Sequence, residues 1–518
     1  VGTGVVPGVV LRWWFVIELF PSPTTMQGVA RERRSSRGSP LKRHHAHALA
    51  APVADDRAAE AFADTLQDFG DTVPDIGRAA AAGVAPPERA PHAGSPLRVA
   101  LVTETYPPEV NGVATTTACV VDELTRMGHL LQLVRPRQPG TVPAGDGRSA
   151  PHEAAPRRGV SERLLPSLPV PRYPGLRMGL PATRALVRQW CRQRPDVVHL
   201  VTEGPLGWSA LRAARRLDLP VVSDFRTNFH AYSRHYGAAW LHDPIAAYLR
   251  RFHNRTACTM VPTERLRAAL AAQGYERLRV VARGVDARRF DPARRDDGLR
   301  ARWGARPDAP VALCVGRLAP EKNLDTVVDA FRALRSRRPD ARLVLVGDGP
   351  DAARLRQHCP EAVFAGPQHG PALAAHYASA DLFLFASTTE TYGNVVPEAM
   401  ASGLAVLAYD HAAAGELIRD GHDGLIAPLD DRAAFLRLAT RLVDEPGLAS
   451  RLGRQARHTA TGLDWRRIGE AIGRAYWLAI ERRVDGVEGE DGTARASGLR
   501  SARWPLPQPP MAAGSGHR

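Results

Sequence analysis

The 518 residues predict an α/β protein built from two doubly wound domains that face one another across a cleft, with a last helix returning to the first domain. Three observations carry this. Residues 97–261 and 311–427 each alternate short apolar runs with helically spaced stretches, the pattern of parallel strands joined by crossover helices. The runs end in loops rich in Gly, Pro and charge, which is where open parallel sheets place their ligands. Finally, Ile468, Ile472, Tyr476 and Ile480 form an apolar stripe at helical spacing that needs a partner. The implied units are 96–290, 291–464 and a returning helix at 465–483.

Residues 1–95 open with an apolar stretch broken by Pro7, Arg12 and Glu18 and continue rich in Ala, Arg, Pro and His, a composition expected to stay disordered. Because the first methionine is Met26, the opening stretch reads either as membrane-touching or as an artefact of an upstream start. In the first domain, strands are expected at 97–103, 130–134, 197–201, 221–224 and 259–261, a helix at 115–127, and an irregular Pro- and Arg-rich insertion at 137–182. Strands of the second domain are expected at 311–315, 342–346, 362–365, 381–385, 405–408 and 424–427. No G-x-G-x-x-G follows the opening strand, and Arg135 rather than an acid follows the second, which disfavours a dinucleotide oxidoreductase. The Gly-, Ser- and Pro-rich stretch 484–518 is expected to be disordered.

A net charge of +15 fits an anionic substrate or membrane surface better than nucleic acid, because the arginines are spread along the chain without interleaved aromatics or finger spacing. The five cysteines are scattered and form no C-x-x-C, so neither a disulfide framework nor a metal cluster is expected. Such cysteine usage suits the cytoplasm, with peripheral contact at the inner face of the membrane as a further expectation. Of the 69 Lys and Arg residues only Lys42 and Lys322 are lysine. Lys322 lies just past the 311–315 strand, where a compact ammonium and a planar guanidinium are not interchangeable.

A second chemical locus is the loop after the 381–385 strand. Glu390 precedes the Gly393 turn and Glu398 falls in the first turn of the helix beyond it. Carboxylates here accept hydrogen bonds from sugar hydroxyls, or simply compensate a helix N-terminus. The free N–H groups of that turn favour phosphate.

In combination, Gly316-Arg317-x4-Lys322, Leu345-Val346-Gly347-Asp348-Gly349-Pro350, Glu390-x7-Glu398, Ala401-Ser402-Gly403 and Gly415-Glu416-Leu417-Ile418 resemble the retaining, GT-B-fold glycosyltransferases that use nucleotide sugars. The resemblance covers about residues 96–480. Glu104-Thr105-Tyr106-Pro107-Pro108, Asn111-Gly112-Val113 and Pro169-Val170-Pro171-Arg172-Tyr173-Pro174 look like the subgroup of GDP-mannose-dependent α-mannosyltransferases and sulfoquinovosyl-lipid synthases. The resemblance implies that Arg317 and Lys322 clamp the donor diphosphate beside Gly316, that Glu398 binds the ribose, and that Glu390 faces the transferred sugar. It also implies that Gly393, Asn394 and Val395 approach the donor with backbone amides, and that Gly112 does so from the opposite domain or is a plain turn glycine. Where relatives often place a histidine this chain has Arg226, after Asp224, and His230 lies four residues on. Arg226 would supply charge to the donor, and His230 would face the acceptor or pack as a loop histidine.

The resemblance thus implies a metal-independent transferase with no cofactor, moving a sugar from GDP-mannose to a lipid or glycan acceptor. UDP-glucose or UDP-sulfoquinovose is the alternative donor, and a non-catalytic binder of membranes or nucleic acid the alternative class. Residues 184–194, with Arg188, Trp190 and Arg192, read either as a basic helix on anionic lipid or as a solvated face over a buried stripe.

Overall fold

The computed structural model describes residues 95–109, 111–138, 158–170, 173–226 and 242–488. The expectations for residues 1–94 and 489–518, and the whole of the role given to His230, lie outside the described residues.

The first half of the chain lays down β1 (Arg98–Val102), β2 (Leu130–Pro136) and β3 (Val160–Leu165), then the antiparallel hairpin of β4 (Ser167–Val170) and β5 (Tyr173–Gly179). It continues with β6 (Val197–Leu200), β7 (Val221–Asp224), β8 (Cys258–Val261) and β9 (Leu278–Val280). Outside the hairpin these strands form one parallel sheet in the order β3-β2-β1-β6-β7-β8-β9. The second half contributes β10 (Val311–Val315), β11 (Arg342–Val346), β12 (Val363–Gly366), β13 (Leu382–Phe385), β14 (Ala405–Tyr409) and β15 (Leu425–Ala427). They pair in parallel in the order β12-β11-β10-β13-β14-β15.

Strand alternation explains why the central runs are apolar throughout. Val311, Leu313 and Val315 enter one core layer while Ala312 and Cys314 enter the layer on the other face. In the first sheet Val99 and Leu101 are likewise separated from Ala100 and Val102. A sheet covered by helices on both faces leaves no polar alternation to read, so β1, β6, β10 and β13 fall where the apolar runs predict.

The insertion at 137–182 is not irregular throughout. It contains β3, β4 and β5. β3 is an edge strand with one neighbour, and its Ser161, Glu162 and Arg163 are exposed, so it lacks the apolar run that marks a central strand. β9, at the opposite edge, went unpredicted for the same reason.

Helices α1 (Gly112–Arg126), α2 (Thr183–Arg192) and α3 (Pro205–Arg216) cover the first sheet, and α4 (Val395–Ala401) comes after β13 in the second domain. In α2, Trp190 is fully buried beside Leu186 while Arg184, Arg188 and Arg192 are exposed, an arginine face over a buried stripe. Among the described residues no helix is long and apolar enough to cross a membrane.

The final helix, α5 (Trp465–Glu488), leaves the second domain and packs on the first. Its Ile472, Ala475, Tyr476 and Ala479 share a core with Leu97, Val99 and Leu101. Gly469 permits the close approach, since a Cβ there would stand 2.7 Å from Glu123 Cγ. The helix runs past the expected end at Arg483, and its last turns are tied down by Arg482 Nη1 on Ala257 O (2.8 Å) and by Arg483 on Asp218.

Each sheet changes winding direction once, at β1/β6 and at β10/β13. The crevices beyond the carboxyl ends of those pairs are the places where a doubly wound sheet receives a ligand.

Candidate active site in the interdomain cleft

β10 delivers the chain to Gly316, whose φ of +150° favours glycine. Gly347 lies just past β11, and a Cβ on it would stand 1.9 Å from Gly316 O. Gly349 is equally confined, its Cβ falling 2.3 Å from Leu318 O. The Gly-Asp-Gly stretch is therefore a seat for the neighbouring cation loop, which it grips through Gly316 N to Val346 O (3.0 Å) and Leu318 N to Asp348 O (2.9 Å). Arg317 forms an ion pair with the buried Glu321. A single 3-10 turn, Pro320–Lys322, then places Lys322 in the lining of a small pocket with Gly316, Leu318, Leu324 and Phe385.

Lys322 Nζ donates to Glu390 Oε1, bringing together two residues that the sequence places 68 positions apart. Ser387 Oγ adds a hydrogen bond to the same oxygen at 3.0 Å. Burial alone would raise the Glu390 pKa, but the facing ammonium and these hydrogen bonds hold it below the usual carboxylate value. Glu398, partly buried in the first turn of α4, has a different environment. Burial pushes it up to about 7, although Tyr377 donates a hydrogen bond to its Oε2 at 2.9 Å. Two carboxylates on either side of the Gly393 turn are thus driven in opposite directions, one held ionised and one titrating near neutrality.

Gly393 adopts φ +89°, and Asn394 and Val395 begin α4. The Asn394 side chain makes no cap for its own helix. It crosses the cleft instead, donating to Thr116 Oγ1 (3.0 Å) and Gly112 O (3.5 Å). Gly112 opens α1, and a Cβ there would touch Asn394 Nδ2 at 3.6 Å, so the two loops meet directly. Arg226 lies just past β7, with Nε 2.7 Å and Nη2 2.5 Å from Asp224 Oδ2. Burial would raise the Asp224 pKa, but Arg226 and His199 hold it well below the usual range.

Arg283 has no motif around it, and nothing in the sequence singles it out. It lies on the segment joining the domains, stacks over Tyr392 at 5.3 Å and donates to Asn394 Oδ1 at 3.4 Å. Burial, with the charge of Arg226, lowers its pKa to about 10. Arg226, Arg283 and Thr116 line one cavity together with Ile468 and Ile472 of α5. Glu104 is structural, accepting from Gly179 N (2.6 Å) and Leu206 N (2.8 Å) and so pinning the loop after β1 to the hairpin and to the start of α3. Burial pushes it up to about 7.

Residues 309–445 match the family model described as glycosyl transferases group 1, and residues 110–289 match glycosyltransferase family 4. The chain is 37% identical over 371 residues to the GDP-mannose-dependent alpha-mannosyltransferase of Mycobacterium tuberculosis, covering 71% of this chain and 93% of that protein. It is 35% identical to the protein of the same name from Mycolicibacterium smegmatis, covering 75% and 99%. With the sulfoquinovosyl transferase SQD2 of Arabidopsis thaliana it shares 30% identity, covering 64% and 68%. Among solved structures, sucrose-phosphate synthase from Thermosynechococcus elongatus superposes with a TM-score of 0.61 at 19% identity, over 76% of this chain and all of that one. Anabaena HepE in complex with UDP and glucose gives a TM-score of 0.57 at 16% identity, over 73% and 99%. Both share the two-domain GT-B fold.

Proposed function

The chain belongs to the group 1 glycosyltransferases and is a hexosyltransferase, and from that premise we propose that it is a retaining α-mannosyltransferase using GDP-mannose and a lipid or glycan acceptor. The observation that carries this is the meeting of Lys322 with Glu390 at the β10/β13 crevice, beside Glu398. A cation for phosphate and an acceptor-only carboxylate for sugar hydroxyls are held in contact before any donor arrives. The choice of GDP-mannose is supported by the names of the two mycobacterial relatives.

In this reading the donor diphosphate takes over Arg317 and Lys322, freeing Glu390 to accept from hydroxyls of the mannose. The ionised Glu398 accepts from the ribose. Backbone amides at Gly393, Asn394 and Val395 approach the phosphates, and Gly112 leaves room for the donor from the other side. Arg226 and Arg283 add positive charge across the cleft. The bond from the anomeric carbon to the diphosphate oxygen breaks with its electron pair going to the diphosphate, and an acceptor hydroxyl bonds to the same face. Its proton passes to the leaving phosphate. Each fixed donor aimed at the growing charge contributes ~3 kcal/mol. Arg317 and Lys322 supply the charge that a divalent ion would otherwise provide, so turnover needs no metal. The exposed Arg184, Arg188 and Arg192 on successive turns of α2 suit peripheral contact with an anionic membrane at its cytoplasmic face.

Similarity to the sulfoquinovosyl transferase favours one second reading, a UDP-sugar donor. Purified full-length chain incubated with GDP-mannose, UDP-glucose and UDP-sulfoquinovose separates them. GDP release from GDP-mannose, with retention in the glycoside formed, is the expected result, and preferential UDP release would reassign the donor.

A further inference from the structure

Behind Arg226 runs a buried chain of polar groups that begins on the returning helix. Tyr476 Oη lies 2.8 Å from His199 Nδ1, with the rings edge to face at 5.7 Å. His199 Nε2 lies 3.0 Å from Asp224 Oδ2, which in turn holds Nε and Nη2 of Arg226. Tyr476 and His199 are both fully buried, and Arg226 is 8% exposed.

The proton positions can be assigned from the chemistry. Asp224, ionised, can only accept, so the nearby Nε2 of His199 must carry a proton, although its approach to the carboxylate is not linear. If Nδ1 carried one as well, the Tyr476 hydroxyl proton would have no acceptor in a dry core. The arrangement that satisfies the groups has Tyr476 donating to Nδ1 while Nε2–H faces Asp224. At the far end, Arg226 Nη1 is buried and has no hydrogen-bond partner among the described residues. Arg226 itself lines the cavity shared with Arg283 and Thr116, so the network ends on a cation that borders a cavity rather than on a closed set of contacts between α5 and the sheet.

We propose that Tyr476 and His199 are positioning residues for the glycosyl transfer, acting through Asp224 to hold Arg226 in the cavity under α5 beside Arg283, whose side chain reaches Asn394 of the second domain. The proposal rests on the proposed function, in which Arg226 serves the cleft. It gives α5 a role beyond packing, because one hydroxyl that meets His199 from 277 residues away in sequence sets the aim of Arg226.

The test is a double-mutant cycle on the full chain, with GDP release from GDP-mannose (or UDP release, should the donor be a UDP-sugar) as turnover. Affinity for the nucleoside diphosphate is measured by calorimetry and folding by thermal melting. Tyr476→Phe removes one hydroxyl and is expected to lower kcat on the order of tenfold, since a ~1 Å misplacement can cost up to ~10²-fold. GDP affinity should change less than about twofold, because in the proposed function the diphosphate and ribose are held chiefly by Arg317, Lys322 and Glu398 of the second domain. In an Arg226→Lys background the same substitution should leave kcat unchanged while still lowering the melting temperature. Equal kcat losses in both backgrounds, or no loss in the wild-type background, would overturn the proposal. Wild-type turnover by Arg226→Lys would instead remove the premise that Arg226 serves the reaction. Should Tyr476→Phe fail to fold, His199→Gln enters the same cycle with the same expected and overturning outcomes.

Discussion

Replacing Lys322 by arginine keeps the charge and matches the chain's own habit, yet the structure predicts a large loss of turnover. The Lys322 side chain is 19% exposed and its partner Glu390 13% exposed, so the pair is largely withdrawn from water. Deleting the cation, as in Lys322→Met, leaves Glu390 uncompensated and should cost about 3–5 kcal/mol of stability. Arginine avoids that penalty. Its planar fork must nevertheless fit between Gly316, Leu318 and Phe385, an overpacking worth about 1–3 kcal/mol that moves the head group rather than unfolding the domain. A shift of ~1 Å at the diphosphate corresponds to ~10²-fold in rate, or about 2.7 kcal/mol. Initial rates of donor turnover for the wild type, Lys322→Arg and Lys322→Met, read beside their melting curves, separate the two costs. Lys322→Arg should melt near the wild type and turn over about a hundredfold more slowly, whereas Lys322→Met should lose both. Near-normal turnover by Lys322→Arg would refute the point-charge argument and make the lone lysine incidental.

Glu398 titrates near 7 against an unfolded value near 4.5, so the folded state binds the extra proton between those values. Its contribution to stability is therefore complete below about pH 4.5 and is lost as pH rises through about 7. Melting temperature should fall across that window and do so less steeply in Glu398→Gln. If the ionised form accepts from ribose, GDP affinity measured by calorimetry should tighten between about pH 6 and 8, either side of that midpoint, and Glu398→Gln should abolish the difference. Glu398→Ala should weaken nucleotide binding more than it lowers turnover at saturating donor. Gly347→Ala would force a Cβ to 1.9 Å from Gly316 O, so it should displace the cation loop and weaken GDP binding; unchanged affinity would mean the two loops do not depend on each other. Truncation after Gly462 strips the Ile472, Ala475, Tyr476 and Ala479 face from the first domain's core, and loss of soluble, cooperatively melting protein is expected. Turnover should persist in EDTA, with a metal requirement counting against the assigned phosphate clamp.

Central strands were legible because they are buried on both faces, and a residue's hydrophobicity records that average environment whatever its neighbours are. For the same reason the stripe on α5 announced that a partner existed. The edge strands β3 and β9 left no such record, since half their pairing and much of their surface face outward. At the site, residue types and spacings along two separate stretches, one after β10 and one after β13, identified Lys322, Glu390, Glu398 and Gly393 as candidates. They could not reveal that Lys322 rests on Glu390, that Asn394 crosses to Gly112 and Thr116, or that Arg283 completes the cluster. Nor could they foresee that Tyr476 stands behind Arg226 through His199 and Asp224. Local pattern is set by each residue's own preference for water, helix or turn, and so it is written along the chain. Partnership and protonation depend on strand order, domain approach and burial, and only the tertiary fold brings those charges within hydrogen-bonding distance.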